Sequence, residues 1–185
     1  MKNRLIAIAA LLLVAFSWVS CIDPDQTEEV ILQQDKEEIQ KYLQENPIVG
    51  VKEYKEEVEG FYMFWQVSND AGLTVVRGDT VTVNYTGKLL SNEVFDTSLE
   101  QVAKDNGIFS SSRKYQPLKF RPGFNFAISG FEFAISLMKQ GEKATVIFPS
   151  RLGYGNQPQG PVPANSPLIF EIDLLEVKKG SLPNP

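Results

Sequence analysis

From Thr80 onward, apolar and polar residues alternate strictly. Val81, Val83 and Tyr85 fall on one side and Thr80, Thr82, Asn84 and Thr86 on the other, the period of a half-buried strand. The stretch opens on a Gly78-Asp79 turn and continues to Leu89 and Leu90. Ser91-Asn92-Glu93 then reads as the turn into Val94-Phe95-Asp96-Thr97-Ser98. Gly87, inside strand-like sequence, predicts a bulge or a close backbone approach. Pro117–Phe120, Glu142–Phe148 and Ser166–Val177 read as further strands. Gly60–Val67 is a dense aromatic run suited to a first strand, with 73–76 or 80–86 as the second. A helical period appears once in this region: Phe131, Ala134, Ile135 and Met138 share a face within Ile128–Gly141, and Gly141 is placed for a left-handed cap.

Ahead of these elements, Thr27 to Glu45 reads as a helix. Thr27 caps it, Glu28 and Glu29 suit its positive first turn, and Asn46-Pro47 stops it. Its apolar stripe, Ile39, Tyr42 and Leu43 with Leu32 two turns earlier, is narrow. It fits a spacer helix with one face on the domain better than a dimerising or substrate-cradling arm, and it is too short for a sustained coiled coil. Ile48–Glu59 is charge-rich and poorly periodic, hence a linker. Leu99–Gln116 reads as a loop-like insertion with a brief helix near Val102-Ala103-Lys104. The class these elements imply is α+β: a twisted antiparallel sheet of five or six strands wrapped around one short helix, with an extra N-terminal helix outside it.

Composition removes several chemistries. The 185 residues contain no histidine, which excludes Ser-His-Asp and Cys-His nucleophilic schemes and the commonest zinc ligand sets. No metal or cofactor is expected. Cys21 is the single cysteine, so no internal disulfide can form. The net charge of −5 is concentrated: residues 22–59 hold twelve acids and four bases, whereas 60–185 hold eleven and twelve. A nearly neutral domain lacks the basic field of a nucleic-acid binder. No second carboxylate motif accompanies Asp96, which argues against carboxylate-pair hydrolysis.

Lys2 and Arg4 precede a mostly apolar run, Leu5–Val19, whose 15 residues fall short of a spanning helix and fit a signal-peptide core. The run ends Ser17-Trp18-Val19-Ser20-Cys21, which resembles a bacterial lipobox, with lipid attached at Cys21 and Trp18 where leucine is usual. The alternative is an ordinary secretory signal with an incidental cysteine, and the single cysteine standing where processing needs it favours the lipoprotein. Asp23 and Asp25 just beyond it resemble the surface-export context of some Bacteroidota lipoproteins. The expected layout is a lipoprotein signal peptide at 1–20, an acidic linker at 21–59 with a helix at about 28–45, a domain at 60–178 and a tail at 179–185.

Six ordered segments across about 60–178 resemble the FKBP-type peptidyl-prolyl isomerases. Gly78 to Leu89 resembles the family's GDxVxVxYTGxL, and Phe95-Asp96-Thr97-Ser98 its FDxS. Ile128, Gly130, Ala134, Met138 and Gly141 stand in register with its VIxGWxxAxxxMxxG, with Phe131 in place of tryptophan. Pro149 to Gly155 resembles IPxxLAYG, Gly160-Pro161-Val162-Pro163 resembles GxIP, and Pro167–Val177 the closing strand. The resemblance implies an FKBP-like fold and a proline slot. Tyr85, Phe95, Phe131, Val162 and Phe170 would line it, with Phe131 as its floor and Phe120 as a neighbouring aromatic. Asp96 would form its wall, Tyr154 would donate to a substrate carbonyl, and Ile128 would offer its backbone N–H. Leu118 and Ala127 stand where bulkier residues are common, so a wider slot is expected. The insertion exceeds that of many relatives, so its rim is expected to differ.

Such an activity suits this composition. Twisting a peptide bond breaks amide resonance, a barrier of about 18–20 kcal/mol, and lowering it needs no nucleophile, metal or cofactor. The planar amide is more polar than the twisted one, so an apolar, water-poor pocket favours the transition state. Each residue also has a plainer reading. Alone, Tyr85 and Phe170 read equally as core, Phe131 as helix packing, Asp96 as a turn residue and Tyr154 as a rim aromatic. The family resemblance implies proline-containing polypeptides as substrates and binding of the family's macrolide inhibitors. With the lipobox-like leader, the expectation is a monomer lipid-anchored to the outer membrane of the cell envelope, on its periplasmic or its surface face, that assists exported proteins. The alternatives are a proline-peptide-binding chaperone with little or no isomerase activity, and a structural domain whose own side chains fill the pocket.

Overall fold

The computed structural model describes residues 27–180; the leader, Cys21 and the end of the tail lie outside them. One sheet contains β1 (Lys52–Glu56), β2 (Phe61–Val67), β3 (Thr80–Leu89), β4 (Val94–Thr97), β5 (Leu118–Phe120), β6 (Lys143–Phe148) and β7 (Leu168–Lys178). Every pairing is antiparallel, in the order β1-β2-β6-β7-β3. β4 and β5 pair in succession along the remaining edge of β3. The helices are α1 (Glu28–Glu45), α2 (Glu100–Asp105) and α3 (Ser129–Leu137).

Which face each strand buries follows from what covers it. Val81 and Val83 of β3, Val146 and Phe148 of β6, and Leu168, Phe170 and Ile172 of β7 close around α3, which contributes Phe131, Ala134 and Ile135. The aromatic run of β2 lacks alternation because both its faces are covered. Phe61, Met63 and Trp65 join the core around α3, while Tyr62 and Phe64 join Ile147, Ile169 and Ile39 of α1 on the far side. α1 thus lies on the outer face of the sheet with Ile39 fully buried. Its first turn is closed by Val30 N–H donating to Thr27 Oγ1 at 3.3 Å.

Two elements depart from the sequence pattern. β1 lies inside the stretch read as linker, and the sheet therefore counts seven strands. An edge strand needs only backbone partners, and charged residues on it deter further pairing, so its composition resembles a linker's. Lys52 Nζ sits 4.1 Å from the Trp65 ring centroid, and Tyr54 packs edge-on against Phe61. The helical pattern drawn to Gly141 instead stops at Leu137, because the following N–H groups find better partners. Lys139 N–H donates to Glu142 Oε2 (2.8 Å), Gln140 N–H to Leu73 O (2.9 Å) and Gly141 N–H to Leu174 O (2.7 Å). Gly141 is left-handed (φ 85°), but it serves the turn into β6 rather than a helix cap. Of the 73–76 candidate strand, only Thr74 pairs, as an isolated bridge to Lys139.

The Gly78-Asp79 turn closes one end of the sheet. Asp79, 2% exposed, accepts from Val76 N–H (3.0 Å), Gly180 N–H (2.9 Å) and Lys179 Nζ (3.0 Å). Burial opposes its charge, but the Gly180 and Val76 N–H groups and Lys179 outweigh it and hold the carboxyl below its usual value. With the folded value the lower one, this contribution is complete above the unfolded value of about 3.9. It is lost as pH falls through the folded value. Asp79→Ala is expected to cost about 2–3 kcal/mol at neutral pH and to flatten the acid-side fall in stability, as read by urea unfolding at neutral and acid pH.

Candidate functional site

Tyr85 sits where β3 is flanked by β7 on one side and β4 on the other. Its backbone pairs opposite Ile172, and its N–H donates to Ser98 Oγ at 3.0 Å. Gly87, two residues on, is the close approach that the sequence predicts. A Cβ there would lie 2.6 Å from the Phe95 ring and 2.9 Å from Phe170. Removing that side chain lets β3 pass beneath two aromatic rings of the site.

Most of the rings meet edge to face, while Phe120 meets Phe131 at a tilt. Phe131, at the start of α3, is 3% exposed, with its centroid 5.2 Å from Phe170, 5.9 Å from Tyr85 and 6.1 Å from Phe120. Phe95 stands edge-on to Phe170 at 5.7 Å and to Tyr154 at 6.5 Å. Such pairs fix ring orientation beyond what area burial supplies. Between them lies a cavity of about 450 Å³ lined by Tyr85, Asp96, Leu118, Phe126, Ala127, Ile128, Phe131, Tyr154 and Phe170.

One wall is polar. Tyr85 Oη donates to Asp96 Oδ2 at 2.6 Å, and Thr97 N–H donates to Asp96 Oδ1 at 2.9 Å. Arg113, from the insertion, forms an ion pair with Asp96 and donates from Nη2 to Tyr85 Oη at 3.2 Å. Burial first, then the bond to Asp96 and its charge, push the Tyr85 phenol far above its usual pKa, so it remains a donor. Burial and the Asp96 charge also raise that of Tyr154. Among the described residues, neither the Tyr154 hydroxyl nor the Ile128 N–H donates to a protein acceptor. Apolar rings with two uncommitted donors and one fixed carboxylate can hold a peptide segment by its carbonyls; they form no nucleophile.

Of the expected residues, Tyr85, Asp96, Ala127, Ile128, Phe131, Tyr154 and Phe170 line the cavity. Phe95 and Phe120 stand behind it as ring supports. Val162, 1% exposed, is held in the core by a tight hairpin with Gln159. Missing from the sequence reading are Arg113 and Phe126. Arg113 lies 17 residues from Asp96, and no local pattern announces that contact. Phe126, 59% exposed, stacks on Phe120 at 5.2 Å and supplies an aromatic wall beside the smaller Leu118 and Ala127. Its loop is pinned by Glu132, whose carboxylate accepts from the N–H groups of Gly123 (2.8 Å), Phe126 (2.7 Å) and Ala127 (3.0 Å).

A larger groove of about 630 Å³ lies on the opposite face of the sheet, lined among others by Tyr42, Thr86, Lys88, Lys143, Glu171 and Asp173. Its charges are committed in the Lys88–Glu171 and Lys143–Asp173 ion pairs, and among the described residues its aromatic lining is Tyr42 and Tyr85. The smaller cavity is the one that gathers the expected aromatic residues.

The chain is similar to known proteins in sequence and in fold. Residues 72–175 match the sequence model of a family described as FKBP-type peptidyl-prolyl cis-trans isomerase. A probable FKBP-type peptidyl-prolyl cis-trans isomerase of Haemophilus influenzae is 34% identical over 154 residues, covering 83% of this chain and 56% of that protein. FK506-binding protein 2 of Kluyveromyces lactis is 37% identical over 112 residues, covering 60% of this chain and 71% of its own. The crystal structure of a peptidyl-prolyl cis-trans isomerase from Pseudomonas syringae pv. tomato superposes with a TM-score of 0.59 at 26% identity. It covers 84% of this chain and 98% of that one. This chain therefore spans just over half the length of the Haemophilus relative.

Proposed function

The chain belongs to the FKBP-type peptidyl-prolyl cis-trans isomerase family, and from that premise we propose that it accelerates rotation about X-Pro bonds in exported proteins. One observation carries the reading: seven of the ten residues that the motifs single out converge on one aromatic cavity. Proline enters between Tyr85, Phe131 and Phe170, where little water can solvate the planar amide. The twisted amide, being less polar, loses less by entering. Tyr154 and the Ile128 N–H hold the flanking carbonyls, and Asp96 orients Tyr85. Lys2 and Arg4, the apolar run Leu5–Val19, and Ser20 before the single cysteine support a lipoprotein reading. In it, Cys21 carries the lipid and the domain works at the outer membrane of the cell envelope on proline-containing clients.

A second reading, a proline-peptide binder with little turnover, draws on Leu118 and Ala127, which leave the slot wide beside Phe131. NMR exchange on a short Xaa-Pro peptide, with the full chain in detergent, separates the two. Acceleration is expected, and Tyr154→Phe is expected to lower kcat/KM roughly three- to ten-fold, the worth of one neutral hydrogen bond. Peptide binding without acceleration would hand the case to the second reading.

A further inference from the structure

On α1, Asp35 falls one turn before Ile39, on the face turned to the domain, and is 3% exposed. A carboxylate buried on such a face is costly unless fully bonded, and packing alone would be better served by an apolar residue. Its Oδ2 accepts both the backbone N–H of Ser150 (2.8 Å) and the Ser150 hydroxyl (2.6 Å). Burial pushes this carboxyl above its usual value, against which both Ser150 bonds act.

Ser150 is itself 1% exposed and opens the short 3₁₀ turn Ser150–Leu152. Its carbonyl accepts two N–H groups, from Gly153 and from Gly155, each at 2.8 Å. Those glycines flank Tyr154, so the backbone on both sides of the cavity tyrosine hangs from one carbonyl. The residue bearing that carbonyl is gripped by Asp35. The Arg151–Glu59 ion pair ties the same turn to the segment before β2.

We propose that Asp35 is a positioning residue of the isomerase site, setting Tyr154 through Ser150, so that α1 is part of the working unit. The proposal rests on reading the aromatic cavity as the proline slot. Asp35 does not touch substrate. It fixes the loop from which the Tyr154 hydroxyl reaches the substrate carbonyl, and loop placement of this kind is worth a measurable share of rate.

The test uses the full chain in detergent with D35A, D35N, Y154F and the double variant D35A/Y154F. Expected first is a fall in kcat/KM for D35A of roughly three- to ten-fold, since the Tyr154 bond is weakened or lost. D35N retains one carbonyl oxygen able to accept both Ser150 donors and is expected to restore wild-type kcat/KM. D35A/Y154F is expected to fall no further than Y154F, the coupling that distinguishes positioning from general loosening. The Tyr154 ring signals of the peptide-free protein, assigned by their absence in Y154F, should move in D35A and return in D35N.

That last readout is independent of catalysis. A chain without isomerase activity whose Tyr154 signals move as expected would sink the functional reading and keep the coupling. A folded D35A with wild-type kcat/KM and unmoved Tyr154 signals, or losses that multiply in the double variant, would overturn the proposal. Where D35A does not fold, S150A removes only the hydroxyl donor and carries the same comparisons with a smaller shift.

Discussion

Glu142→Ala is expected to destabilise the folded chain by about 3 to 5 kcal/mol, the cost of leaving one buried and two partly buried N–H donors without their acceptor. Glu142 is 1% exposed at the entry to β6. Its Oε2 accepts from the Trp65 indole N–H (2.9 Å) and Lys139 N–H (2.8 Å), and its Oε1 from Asn69 N–H (3.2 Å). Alanine would strand three donors at once, and each buried unsatisfied donor costs about 1–3 kcal/mol. One of them ends α3 and another belongs to the largest core side chain, so helix α3 and strand β2 would loosen together. Glu142→Gln should recover part of the loss, because its carbonyl oxygen can keep the Trp65 and Lys139 bonds while its NH₂ faces only the Asn69 N–H. Guanidinium unfolding, followed by Trp65 fluorescence, reads the loss. A change below about 1 kcal/mol would mean that water enters and replaces the carboxylate.

Glu142 also illustrates what the chain discloses as sequence. The strict alternation of Val81, Val83 and Tyr85 requires one covered face, and β3 was legible for that reason. The class of fold, α3 and the closing strand were legible on the same grounds of period. β2 was legible only as a strand. That Tyr62 and Phe64 need a cover of their own, which α1 supplies with Ile39, is a tertiary fact with no local signature. β1 was hidden because an edge strand is stabilised by backbone pairing with β2, which leaves its side chains free to be Lys and Glu. The site divides the same way. Residues on regular elements or in family-like segments, such as Tyr85, Asp96 and Phe170, could be named beforehand. Arg113, Phe126 and Asp35 could not. Each reaches its partner across a loop whose path only the folded chain specifies.

Asp96→Ala is expected to lower kcat/KM on the order of 10- to 100-fold, the kinetic equivalent of about 1.5–3 kcal/mol from one charged hydrogen bond, with little change in global stability. Asp96 is the acceptor for Tyr85 Oη, while Arg113 only donates to that oxygen. Without the carboxylate the phenol keeps a donor and loses its acceptor, so its ring is no longer held across the slot, and an unpaired guanidinium is left at the rim. Arg113→Ala should cost far less, about two- to five-fold, because the Tyr85–Asp96 bond survives it and a partly exposed ion pair contributes only about 0–1 kcal/mol. Asp96→Asn should fall between them, keeping an acceptor but no charge. Because burial, the largest of the causes that hold the Tyr85 phenol above its usual range, persists in the variant, the wild-type to Asp96→Ala ratio should stay level from neutral to mildly alkaline pH. A ratio that changed with pH would instead make a titrating group the agent of the loss. Equal losses in Asp96→Ala and Arg113→Ala would shift the working contact from Tyr85 to the ion pair, and with it to the insertion that carries Arg113.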